Sequence, residues 1–153
     1  MKDQILDNLK EAGICVIEDY FSPEFCDQAV KDMEDGLVRF KSKIQSESKE
    51  GTSGDERLFK MENHYDTAKE FANDPLLLEV GSEYYGYPLI SHFVLGGKVQ
   101  ARDNQIVNSG GGWHRDNRMK QIKTLVYLSD VEDENGPYLF LPSSNTFDLY
   151  SVK

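Results

Sequence analysis

Two residues separated by one, His114 and Asp116, have the types and spacing that could hold a metal. If the tripeptide is extended, successive side chains alternate faces, so the imidazole and the carboxylate point the same way and Arg115 points opposite. One neutral nitrogen and one carboxylate oxygen on a rigid strand are two of the three ligands of the facial triad. That triad holds Fe(II) and leaves other positions open to co-substrate and O2. Standing alone, the tripeptide reads better as polar surface beside a turn. The His-Arg-Asp of protein kinases is excluded, because it needs Asn five residues after the Asp, where this chain has Gln121, and a glycine-rich phosphate loop upstream.

The flanking blocks change the balance. Trp113-His114-Arg115-Asp116-Asn117 is followed by Thr124-Leu125-Val126-Tyr127-Leu128-Ser129-Asp130, then Glu134-Asn135-Gly136-Pro137, then Leu141-Pro142-Ser143-Ser144. In order and spacing these four blocks resemble the phytanoyl-CoA dioxygenase family of Fe(II)/2-oxoglutarate oxygenases. The resemblance implies an α+β chain with a double-stranded β-helix core, jelly-roll or cupin-like, and N-terminal helices packed on one sheet. It implies His114 and Asp116 as metal ligands, Fe(II) as the metal and 2-oxoglutarate as co-substrate, with oxidation of a small organic substrate coupled to formation of succinate and CO2. Halogenating relatives carry a small residue in place of Asp116, so hydroxylation or a related oxidation is the implied reaction.

The family takes its third ligand, a His, and the Arg that pairs with the far carboxylate of 2-oxoglutarate from strands beyond a Pro-Gly-Ser-His-like turn. This chain ends 12 residues after Leu141, before those strands, and has Ser143 and Asn145 where the family commonly shows Gly and His, and Leu125 where an aromatic is common. His92 is better read as satisfied or solvent-facing than as a replacement ligand, and His64 as surface. Gln105 falls where relatives place a side chain near the co-substrate, and a plain strand-surface role accounts for it equally. Arg102 and Arg118 have the guanidinium chemistry to grip a carboxylate, though neither matches the family position.

The barrel is therefore expected to be incomplete, with open edges that invite another chain. Three situations follow in order: the N-terminal part of a longer oxygenase, a short form completed by dimerisation or a second polypeptide, or a non-catalytic half-barrel acting as a binding or assembly module.

The elements that must position the pair read as follows. Ile5, Leu6, Leu9 and Ala12 share a helical face over residues 3–12, with Gly13 able to end the helix, and a strand is expected over 14–17. Ser22-Pro23-Glu24 is a capped helix start, and Phe25, Cys26, Ala29, Met33, Leu37 and Phe40 carry one apolar face to about residue 41. Residues 42–56 contain a single strong apolar residue among turn formers and read as a mobile loop, which in an oxygenase could close over substrate. A short strand is expected over 58–61, and Asp74-Pro75 caps a helix ending near Gly86. Residues 89–107, broken by Gly96-Gly97, read as strands feeding the turn at Gly110-Gly111-Gly112. Further strands are expected over 124–128, apolar on both faces, and 138–141, joined through a tight turn at 133–136.

The length of 153 residues suits a single domain, mainly helical over 1–88 with the first β-helix strands over 89–153. Seventeen Lys and Arg against 27 Asp and Glu give a formal net charge of −10, which repels phosphate backbones and anionic lipid. Neither nucleic acid nor membrane is an expected partner. No apolar run is long enough to span a bilayer, the N-terminus lacks a signal-peptide pattern, and a cytoplasmic location is expected. Cys15 and Cys26 are too few for a disulfide framework and read as small buried hydrophobes.

Overall fold

The computed structural model describes residues 1–40, 45–46, 56–99, 113–114 and 121–144, with backbone alone at 45–46. The chain forms two compact units, the first from Met1–Phe21, Asp74–Ile90 and Val131–Lys153, the second from Ser22–Asn73 and Ser91–Asp130.

In the first unit, helix α1 (Lys2–Glu11) packs on a helix from later in the chain, Pro75–Tyr85. Ile5 and Leu6 of α1 meet Val80, with Leu9, Cys15, Ile17, Leu76 and Tyr84 around them. Each fully buried aliphatic contributes about 1.5–3 kcal/mol, so this small core depends on three residues. The helix over Pro75–Tyr85 starts where sequence dictates: the Asp74 carboxylate accepts the Leu77 N–H at 2.9 Å, and Pro75 fills the first turn. It ends in a Schellman arrangement at Gly86, φ 77°, with Tyr87 N–H donating to Ser82 O at 3.1 Å and Gly86 N–H to Glu83 O at 3.3 Å. The Tyr20 hydroxyl donates to the same Asp74 carboxylate at 2.9 Å, tying residues 18–21 to that helix start. The turn at Leu141–Ser144 is held by α1, since Ser143 N–H donates to Ala12 O at 2.7 Å and Ser143 Oγ to Glu11 O at 3.3 Å.

The second unit is a helix layer on a small sheet. Helix α2 (Pro23–Arg39) is capped by Ser22, whose Oγ accepts the Phe25 N–H at 3.2 Å. Strands β1 (Gln45–Ser46), β2 (Glu56–Phe59) and β3 (Leu95–Lys98) form an antiparallel sheet in the order β1-β2-β3, with Leu58 opposite Gly96 and Phe59 opposite Leu95. A 3-10 turn (Met61–Asn63) and helix α3 (Asp66–Ala72) follow β2, and Pro75–Tyr85 is α4. Met33, Leu58, Met61, Tyr65 and Ala68 form the core between α2, α3 and the sheet. Two glycines permit this approach. A Cβ on Gly36 of α2 would overlap the Leu58 Cδ2 methyl, and one on Gly96 would overlap the sulfurs of Met33 and Met61. Polar clamps fix α3 to α2: the Tyr65 hydroxyl donates to Asp35 at 2.7 Å and the Thr67 hydroxyl to Asp32 at 2.6 Å. Tyr65 and then Arg39 hold the Asp35 carboxyl below its usual range.

The three helices expected from sequence, α1, α2 and α4, start and end within a residue or two of expectation, α3 was not expected, and the class is α+β. The strands depart from it. Residues 14–17 form no strand among the described residues; Cys15 and Ile17, both half-buried rather than buried, pack against the α1–α4 core. The strand expected at 58–61 lies at 56–59, and the left-handed Lys60, φ 60°, turns the chain into the 3-10 segment. Within the stretch read as a mobile loop, Gln45 and Ser46 pair with Arg57 and Glu56, while the rest up to Asp55 lies outside the described residues. Gly96-Gly97 does not break the strand but sits inside it, because the close approach of two methionines requires a residue without a side chain at 96. Residues 124–128 and 138–141 are not strands, and Leu125 at 62% and Leu139 at 69% are exposed. An apolar run becomes a buried strand only when neighbours complete its ladder and cover it, and none does so among the described residues.

Candidate metal centre

Of the pair read from sequence, His114 is described and Asp116 is not; Gln105, Arg102 and Arg118 also lie outside the described residues. Trp113 and His114 are both exposed. The imidazole is thus exposed rather than packed in a core. Among the described residues, no group of three His, Cys, Asp or Glu side chains lies close enough to hold a metal ion. The other two histidines are engaged with aromatic neighbours. His64 lies against Phe40 with ring centroids 4.3 Å apart, and His92 meets Phe93 edge-on at 5.0 Å. Both are exposed, in keeping with the surface roles expected of them.

What the second unit offers beside these residues is a sheet with unlike faces. Leu58 and Gly96 face α2, and Lys98 on the same side reaches Glu34 at 3.8 Å. By strand alternation Phe59 and Leu95 turn to the other face, where both are exposed, and Phe93 lies 5.6 Å from Phe59. The start of β3 is fixed from two directions: Val94 N–H donates to the Glu62 carboxylate at 2.8 Å and Val94 O accepts Met61 N–H at 3.2 Å. Sequence reading passed over Glu62 and the whole of α3. The only local signal was the pairing of Ala68 with Ala72 one turn apart, since Tyr65 at the helix start provides no side-chain cap.

In donor chemistry, an imidazole nitrogen and a carboxylate two residues apart fit two of the three protein ligands of a non-haem Fe(II) site. That pair, on a chain carrying helices on one face of an antiparallel sheet, defines the class of metal-dependent oxygenases as the comparison to make. The family model described as phytanoyl-CoA dioxygenase (PhyH) matches residues 9–152, and the chain belongs to that family. Members of the family have a double-stranded β-helix fold and generally depend on Fe(II) and 2-oxoglutarate. The three strands among the described residues do not close a barrel. Comparisons with curated proteins and with solved structures find no match. Among the described residues, no helix is long and apolar enough to cross a membrane.

Proposed function

We propose that this protein is an Fe(II)- and 2-oxoglutarate-dependent dioxygenase that hydroxylates, or oxidises in a related way, a small organic substrate. The observation that carries the reading is the family match over residues 9–152, which spans the His114-x-Asp116 pair. When bound, Fe(II) with 2-oxoglutarate supplies the activation of O2 that organic side chains lack. The residues of the chain supply the binding. His114 offers a neutral imidazole nitrogen, Asp116 offsets part of the metal's charge, and Gln105 is the candidate contact to the co-substrate. Because a ligating imidazole must be unprotonated, acid weakens metal binding at this pair.

A second reading starts from one observation: among the described residues, which do not include Asp116, no three His, Cys, Asp or Glu side chains group to hold a metal ion. In the enzyme reading the third ligand comes from outside the described residues, from this protein's own chain, a second copy or another polypeptide. In the alternative the chain is a non-catalytic binding or assembly module. The net charge of −10 supports a small-molecule partner over nucleic acid or membrane. Succinate formation from 2-oxoglutarate, Fe(II) and O2 separates the readings. The enzyme gives succinate that is lost in Asp116→Ala; no succinate at any protein concentration leaves the module.

A further inference from the structure

The turn that follows the exposed run at 121–130 carries an asparagine next to a glycine, Asn135-Gly136, both exposed. Nothing lies within 4 Å of where a Cβ on Gly136 would sit, so no side chain crowds the Gly136 Cα. We propose that Asn135 is a latent deamidation site kept intact by the folded turn. In the reaction, the Gly136 nitrogen loses its proton and bonds to the Asn135 side-chain carbonyl carbon, the bond to the side-chain nitrogen breaks, and ammonia leaves. Water then opens the succinimide at either carbonyl, giving aspartate or isoaspartate. Water is the only co-reactant.

In the folded turn both reacting groups are engaged. Asn135 Oδ1 accepts the Glu132 N–H at 2.7 Å, and Gly136 N–H donates to Asp133 O at 3.3 Å. The Glu132 side chain closes the box by accepting the Asn135 backbone N–H. Attack therefore requires the 3-10 turn Asp133–Asn135 to open, and modification reports on that opening. The product is not silent. It adds a carboxylate to a turn already holding Asp130, Glu132, Asp133 and Glu134, and isoaspartate lengthens the backbone by one methylene where the box must close.

The test incubates the full chain at mildly alkaline pH, folded and in urea, and maps aspartate and isoaspartate at residue 135 by peptide mass spectrometry. The folded chain should react roughly ten-fold more slowly, the factor expected of a satisfied cap. Glu132→Ala, with folding verified by circular dichroism, should narrow that gap. Equal rates folded and unfolded would overturn the proposal, as would no reaction at Asn135 in urea or an unchanged folded rate in Glu132→Ala.

Discussion

Replacing Gly36 by alanine sets two effects of opposite sign on one carbon. Gly36 lies inside α2, where alanine gains about 1 kcal/mol of helix propensity over glycine. The same Cβ would overlap the Leu58 Cδ2 methyl and come within 3.2 Å of the Tyr65 hydroxyl. Leu58 is 3% exposed and walled in by Met33, Met61 and Tyr65, so the methyl has little room to retreat. Overpacking of this kind costs about 1–3 kcal/mol. The net expectation for Gly36→Ala is a destabilisation of up to about 2 kcal/mol, against the propensity trend. Leu58→Val removes the obstructing methyl, keeps a strand-forming side chain and costs about 1 kcal/mol alone. In that background Gly36→Ala should be neutral or stabilising by up to about 1 kcal/mol, a coupling of about 1–3 kcal/mol in the double-mutant cycle. Urea unfolding of the four proteins followed by far-ultraviolet circular dichroism reads the cycle. A Gly36→Ala effect of the same sign and size in both backgrounds would refute the packing of α2 on β2 described above.

Other consequences can be measured in the same way. Asp74→Ala removes both a helix cap and the acceptor of Tyr20, and should cost about 1–3 kcal/mol. Tyr20→Phe alone should cost about 1 kcal/mol and add nothing to Asp74→Ala, because the shared bond is then already gone; additivity in thermal unfolding would contradict the contact. Burial, then the Asp74 carboxylate, pushes the Tyr20 hydroxyl up to about 12 from its ordinary 10.0. The stability it contributes should be complete below pH 10 and lost as pH rises towards 12, with one phenolate absorbance step moving part of the way back towards the ordinary range in Asp74→Ala, because burial remains. Ser143 occupies the left-handed region at φ 61°, and its Oγ donates to Glu11 O over a long 3.3 Å. Ser143→Gly should therefore raise the melting temperature slightly, by up to about 1 kcal/mol of stability, and a lowered melting temperature would count against the strain.

The features legible in the sequence are those set by a few neighbouring residues. Ser22 and Asp74 announce their helices because a cap acts within three residues, and both caps are present. Gly86 marks its helix end for the same reason. Strands are decided by partners far along the chain, and there the reading located β2 and the stretch holding β3 but expected strands elsewhere that do not form among the described residues. Residues 14–17 and 124–128 are as rich in β-branched and aliphatic side chains as many strands, yet neither finds a ladder. Gly96-Gly97 signals a break when read locally. Only the sulfurs of Met33 and Met61, 63 and 35 residues upstream of Gly96, show why a strand there needs glycine. Of the candidate site, His114-x-Asp116 stands out only with the flanking blocks around it, and the family match spans it. A third ligand is a long-range property, and no local pattern in the sequence marks it.

In the proposed function, His114 and Asp116 hold Fe(II) with 2-oxoglutarate. The most direct test is an anaerobic titration of the metal-free protein with Fe(II) and 2-oxoglutarate, followed through the weak visible charge-transfer band of the chelated complex. The account predicts a saturable band in the wild-type chain that is absent from His114→Ala and Asp116→Ala. A wild-type protein that stays colourless at every protein concentration, or a band that survives both substitutions, would contradict it.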